Sequence, residues 1–365
     1  MRPSVTVRNT VVAAAALALA AVPGMANAST TWSVAHPPYT AIDNVPYVPL
    51  NAITAISTTN VWTVGQDSGT PQIDHWNGSK WSQSALPSGP CSVFEADCAF
   101  TGVSADSASD VITIGEGTIP TSSGWVTEAL AYRWNGTAWS QLTVPSSVTY
   151  DEMEHIQAFS PTDAWAVGVG SSTTGASVAT ALNWNGSTWS QVATPVSTTN
   201  DLSVNAISGT SASDIWVVGE TVTPGYRNRQ FTSVIMHYNG SSWAQLTAPD
   251  NSGLLDVDAV SPTDAWAIAA DGSVLKWNGT AWTVVTQLAQ GNTAIAALSA
   301  TDVWVAGVVS LTHYNGPRWT STSDPAGVNA LTGHAVLSPG DIWFSGYYYP
   351  SNAVTAPAVL STTAG

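Results

Sequence analysis

One nine-residue phrase recurs seven times, and no other feature restricts the fold of this chain as much. It reads STTNVWTVG from Ser57, SASDVITIG from Ser107, SPTDAWAVG from Ser160, SASDIWVVG from Ser211, SPTDAWAIA from Ser261, SATDVWVAG from Ser299 and SPGDIWFSG from Ser338. Its acid or amide (Asn60, Asp110, Asp163, Asp214, Asp264, Asp302, Asp341) advances by 38 to 53 residues per copy. A second phrase follows in the first six units: HWNGSKWSQ from His75, RWNGTAWSQ from Arg133, NWNGSTWSQ from Asn183, HYNGSSWAQ from His237, KWNGTAWTV from Lys276 and HYNGPRWTS from His313. Self-similarity at this period marks a propeller or a solenoid. Short runs of Val, Ile, Trp and Thr alternate with turn residues, and no window holds a 3.6-residue period. Each unit reads as four strands, A to D. The expected fold is all-β, a seven-bladed β-propeller with four-stranded blades.

The two ends sharpen that expectation. The seventh unit lacks its W-N-G-x-x-W half, whereas TTWSVAHP from Thr30 matches STWSQVATP from Ser187. The N-terminal strand is therefore expected to close the last blade as its strand D, which removes the open edge of a linear array. Asn-Gly between strands C and D predicts a two-residue type I′ hairpin, with Trp76 and Trp81 as diagonal neighbours. The B-strand tryptophans (Trp62, Trp165, Trp216, Trp266, Trp304, Trp343) are expected to join blade to blade. The Asp before each is expected to cap the A–B turn through its carboxylate. His75, His237 and His313 share their slot with Arg133, Asn183 and Lys276, so the slot reads as polar and outward, not as a metal or catalytic set.

Arg2 and Arg8, the apolar run Val11 to Val22 and Ala26-Asn27-Ala28 predict a secretory signal peptide over residues 1–28. The run is shorter than the roughly 20 residues a membrane span needs, and no comparable run follows, so no membrane span is expected. The propeller is expected over 29–365 as a single closed domain, secreted and extracellular. The chain carries eight basic and 24 acidic residues, a net charge of −16; without residues 1–28 six basic residues remain and the balance is −18. Such a surface repels phosphate backbones, which excludes nucleic acid as a partner. Cys91 and Cys98, the two cysteines, are expected to form a disulfide in that compartment.

The hairpin half resembles the Asp-box of sialidase-type propellers, with the pattern Ser/Thr-x-Asp-x-Gly-x-Thr-Trp. Gly78 with Trp81, Gly136 with Trp139 and Gly186 with Trp189 keep its spacing, but the Asp position holds Trp76, Trp134, Trp184, Tyr238, Trp277 or Tyr314. Over its length the chain is similar to Trp-rich secreted propellers of high-GC Gram-positive bacteria, a group whose relatives include propeller lectins. The resemblance implies a bacterial source and a carbohydrate-binding module.

Chemistry is expected away from the repeated turns. With strand A innermost, the A–B and C–D turns share one face and the B–C and D–A connections the other. From the B-strand Gly or Ala to the C-strand aromatic, the separation is 11, 19, 16 and 19 residues in units 1 to 4, then 8 and 7. Loops that vary on a rigid scaffold carry function. TYDEMEHI brings Tyr150, Asp151, Glu152, Glu154 and His155 into one D–A link; Asp151, Glu152 and Glu154 form a weak Ca²⁺ candidate, beside the alternative of solvated charge. No other cofactor or metal is expected. PGYRNRQF supplies Tyr226, Arg227 and Arg229, suited to a carboxylate. SGYYYP supplies Tyr347, Tyr348 and Tyr349, which either stack on sugars or end a strand. Trp125 is either a loop-tip aromatic or the first core residue of strand C. The first expectation is a non-catalytic module that binds glycan. A glycan-acting hydrolase or lyase is an alternative, with Asp151, Glu152, Asp256 and Asp258 near the central pit as its carboxylates; a protein-binding scaffold of an extracellular assembly is another. A sialidase is disfavoured, because Arg133, Arg227, Arg229 and Arg318 are scattered over blades.

Overall fold

The computed structural model describes residues 31–38, 50–92, 96–145, 147, 153–223, 229–308, 310–323, 325, 328–338, 340–351 and 354–362. The signal peptide expected over 1–28 lies outside them. Residues 31–365 form one compact unit, built of seven antiparallel sheets in a β-propeller. Each blade runs A to D from the axis outward. In blade 1 these strands are Leu50–Ser57, Asn60–Asp67, Thr70–Trp76 and Trp81–Gln83. In blade 2 they are Asp97–Ser107, Asp110–Thr121, Gly124–Trp134 and Trp139–Gln141. The one helical element among the described residues is a short turn, Pro90–Ser92.

The ring closes as the repeat count predicts. Blade 7 takes strands A to C from Ala330–Ser338, Asp341–Ser351 and Val354–Ser361, and strand D from Ser33–Ala35. Val34 lies opposite Leu360, and Ser33 opposite Ser361. Trp32 then fills the missing clamp: its ring is 5.1 Å from Trp304 of blade 6, edge-on, and 5.9 Å from Phe344.

Blades adhere by one repeated contact. A B-strand tryptophan inserts between the two aromatics of the next blade's C–D hairpin. Trp62 meets Trp134 at 5.3 Å and Trp139 at 5.5 Å. Trp216 meets Trp277 at 5.0 Å and Trp282 at 5.2 Å, and Trp343 meets Trp76 and Trp81 across the closure. A Trp side chain buries about 150–250 Å², an upper-bound gain of roughly 4–6 kcal/mol at about 25 cal/mol/Å². Blade 2 has Ile112 instead, packed with Trp184 and Trp189 of blade 3.

Three local expectations are corrected. The C–D connection is a four-residue loop, not a two-residue type I′ turn. Trp76 lies directly opposite Trp81, Asn77 N–H donates to the Lys80 carbonyl, and the Asn77 side-chain oxygen accepts N–H groups of Ser79 and Lys80 at 3.0 and 3.1 Å. Gly78 alone needs positive φ, +90°, and a Cβ there would meet Thr59 Cγ2 at 2.7 Å. The A–B turn is capped by serine rather than by the acid: Ser57, Ser160, Ser211, Ser261 and Ser299 each accept the N–H two residues on. The acid is turned instead to the slot read as outward. Asn60 holds His75 at 2.9 Å, Asp214 holds His237 at 2.7 Å and Asp302 holds His313 at 2.8 Å. Asp110 takes Arg133 through Nε at 2.5 Å and Nη2 at 2.9 Å. His75, His237 and His313 stack on Trp62, Trp216 and Trp304, and the Lys276 ammonium lies 4.3 Å over Trp266. The slot is a half-buried lid on the blade-joining tryptophan.

The disulfide Cys91–Cys98 is present, with Cα atoms 6.0 Å apart. It packs on strand B of blade 2, where Gly117 leaves it room: a Cβ would meet Cys98 Sγ at 2.7 Å.

Candidate functional site: the axial pit and the B–C rim

Strand A is the innermost strand of every blade, so its inner edge has no sheet partner, and unpaired backbone groups there are costly. The preceding blade satisfies part of this edge with side chains. Six A strands change register near their start, and the residue at the shift faces the axis. From that position Asn51 donates to the Phe100 carbonyl at 2.7 Å, Thr101 to Met153 at 3.3 Å and Asn205 to Leu254 at 2.7 Å. Thr293 donates to Leu331, and Thr332 to Leu50 at 2.6 Å. His155 serves blade 3 by bonding the Val204 backbone. Blade 5 breaks the series with Leu255. Its next residues compensate: Asp256 accepts Ile295 N–H and Asp258 accepts Ala297 N–H, both at 2.8 Å.

These side chains line an axial cavity of about 340 Å³. A second hollow, lined by Glu154, His155 and Asn205 among others, shares residues with it. His334 of blade 7 reaches across blade 6, with Nδ1 3.0 Å from Asp256 and Nε2 3.5 Å from Asp258. Burial alone pushes its imidazole down, but the charge and hydrogen bond of Asp256, joined by those of Asp258, hold it well above the ordinary histidine range. Burial pushes His155 down, against the pull of Asp256 and the Val204 backbone. Asp256 and Asp258 stand side by side on one strand and are committed to blade 6 and His334. They do not oppose one another across a gap, as a glycosidase pair must.

The other polar or aromatic features sit on the B–C rim. Trp125, the second residue of strand C in blade 2, is 57% exposed, so it is not a core residue. Tyr347, Tyr348 and Tyr349 belong to strand B of blade 7. Tyr348 packs against His36 at 4.1 Å with the rings tilted by 37°, Tyr347 meets Tyr349 edge-on at 5.5 Å, and Tyr349 is 52% exposed. Arg229 is exposed before strand C of blade 4. Tyr150, Asp151, Glu152, Tyr226 and Arg227 lie outside the described residues, and with them two of the three Ca²⁺ candidates; the third, Glu154, lines the second hollow. Sequence reasoning missed His334. A lone histidine in HAVLSPGD carries no motif, and its meaning comes from two carboxylates contributed by another blade.

Fold and site together define a seven-bladed propeller scaffold with a polar axis and an exposed rim. No protein-family model and no curated protein matches the chain. Among solved structures it is similar to YCF48 bound to a D1 peptide, at 15% identity and TM-score 0.61, covering 92% of this chain and 97% of that one. YCF48 from Cyanidioschyzon merolae gives 14% identity and TM-score 0.57 over 90% and 98% of the two chains. The WD40 propeller domain of Doa1 gives 13% and 0.57 over 87% and 93%. At these identities the likeness is one of fold. The Asp-box likeness rests on hairpin spacing alone.

Proposed function

We propose that this chain is a non-catalytic scaffold that binds a protein partner on its B–C rim. One observation carries the reading. Among the described residues seven large apolar side chains are exposed, and five of them lie at the B–C ends of blades: Trp125 and Val126, Phe231, Val308 and Tyr349. The other two, Val284 and Val285, are on the outer strand of blade 5. Exposed apolar groups gathered on one rim of a rigid disc suit a protein interface. The peptide in the YCF48 structure is consistent with this use of the fold. Among the described residues the glycan reading has the tyrosine pair and Trp125 in its favour. The net charge of −16 favours a basic partner. The leader expected over 1–28 places the encounter outside the cytoplasm; N-terminal sequencing of exported protein should then begin at Ser29.

The test is site-specific photo-crosslinking from Trp125, Phe231 and Tyr349, with Val284 as the control position, in the producing cell. A discrete protein adduct from the three rim positions, absent at Val284, supports the scaffold. Glycan-array binding that survives Trp125→Ser, Phe231→Ser and Tyr349→Ser, with no adduct, rejects it.

A further inference from the structure

Strand C of blade 2 is eleven residues long, Gly124–Trp134, whereas its outer neighbour, strand D, is three, Trp139–Gln141. Pairing covers only Tyr132 to Trp134, and the last bond runs from Leu142 N–H to the Ala131 carbonyl. Strand C pairs strand B from Trp134 to Gly124 without a register shift. Backbone direction therefore alternates regularly from Ala131, and Ala129, Thr127 and Trp125 turn their N–H and C=O groups to the same outer edge. Gly124 to Glu128 are all exposed, and no described residue pairs with that stretch of edge.

Blade 3 shows what such an edge accepts. Its strand C, Ser177–Val178 included, is covered by a fifth strand of the chain itself, Ser197–Thr198. Ala179, the counterpart of Ala129, donates its N–H to the Val196 carbonyl at 3.0 Å. Among the described residues, blade 2 offers the same outward groups without that cover, although open edges are ordinarily blocked by charge, proline or pairing. Its side chains also have a pattern. Val126, 46% exposed, and Glu128 point to one face, and Trp125 and Thr127 to the other.

We propose that residues 124–130 are a β-augmentation site, where an extended peptide bearing alternate apolar and basic side chains adds a strand to blade 2. The main chain of the peptide pairs with Trp125, Thr127 and Ala129. A lysine or arginine lies across from Glu128 on one face of the added strand and an apolar residue beside Trp125 on the other, the pairings that stabilise antiparallel neighbours. The acidic surface, −16 overall, draws a basic segment and opposes a second copy of this chain, which brings the same charge and its own Glu128. The inference rests on the rim as a protein-binding surface and adds how one segment of the partner docks.

Proline separates this idea from the broader one. Thr127 N–H faces outward, so Thr127→Pro removes no backbone bond to strand B, only the hydroxyl contact with Thr118 at 3.0 Å, and is tolerated at an edge. The probe is a blocked hexapeptide alternating lysine with valine, read by fluorescence anisotropy against a glutamate–valine control. The expected result is binding by the lysine peptide at least tenfold tighter than the control, weakened at least tenfold by Thr127→Pro and severalfold by Glu128→Lys. Should Thr127→Pro fail to fold, amide exchange on the native protein decides: Trp125, Thr127 and Ala129 gain protection on peptide addition. No binding at millimolar peptide, equal binding of the control, unchanged amides or a dimer paired through this edge each overturn the inference. Rim crosslinks that persist in Thr127→Pro leave the scaffold reading standing while this one falls.

Discussion

Asp74 is fully buried on strand C of blade 1, where Gln72 Nε2 donates to its Oδ2 at 2.5 Å and to the Pro38 carbonyl at 2.6 Å. Burial pushes its carboxyl up to about 7, helped by the charge of Asp67 and opposed by the Gln72 bond. The unfolded chain releases this proton near pH 4 and the folded protein near 7. The native state thus holds more protons through that window, and stability falls as pH rises across it. Asp74→Asn should match the native protein near pH 4 and exceed it at pH 8, by on the order of 3 kcal/mol. Urea titrations at the two pH values check this; equal differences at both would refute it. His334 has the same sign in a higher pH window, but here the charged form is the stabilising one. Its folded pKa is raised well above the usual value, so its stabilisation is complete below about pH 6.5 and is lost as pH climbs through the folded value. His334→Gln should lower Tm at pH 6, and the gap should close at alkaline pH.

At the scale of elements, burial decides what each tryptophan does. Trp216 is 0% exposed between blades 4 and 5, whereas Trp125 is 57% exposed. Trp216→Ala should cost about 3–5 kcal/mol and Trp125→Ala less than about 0.5 kcal/mol, while only the second weakens partner binding without unfolding. Chemical denaturation with binding measured in parallel separates the two. The strands and the blade-joining role of Trp62 or Trp216 were legible because period-2 alternation and repeat spacing report burial directly. The turns were read less well. Asn-Gly also suits a four-residue loop in which the Asn77 side chain accepts two N–H groups, and sequence alone does not separate that from a type I′ turn. The partners of most B-strand acids were misassigned for a related reason: Asp214 reaches His237, 23 residues away, while local capping falls to Ser211; Asp341 stays with its own turn, accepting the Ser338 hydroxyl at 2.8 Å. The axial site was half legible. Asp256 and Asp258 were placed near the pit, but their engagement by blades 6 and 7 depends on contacts that no spacing encodes.

For the whole molecule the decisive contact joins the two ends. Strand Ser33–Ala35 covers the outer edge of Val354–Ser361 with only three paired residues, and Trp32 supplies Trp304 with the ring that Trp62 and Trp216 find in a C–D hairpin. His36 extends the seal, its Nδ1 3.1 Å from the Pro357 carbonyl, and Pro38 continues to Gln72 of blade 1. Without this segment blade 7 keeps three strands, Val359 to Ser361 become an open edge, and Trp304 and Phe344 lose a neighbour. A chain beginning at residue 39 should therefore melt several degrees lower and associate with rising concentration, since an apolar edge strand pairs with other chains. Trp32→Ala, which keeps the strand but removes the ring, should lower Tm by part of that amount and remain monomeric. Calorimetry and light scattering on the two variants divide the closure into its backbone and aromatic parts. If the truncated chain melts like the full one and stays monomeric, the seven-bladed ring does not depend on its N-terminal strand.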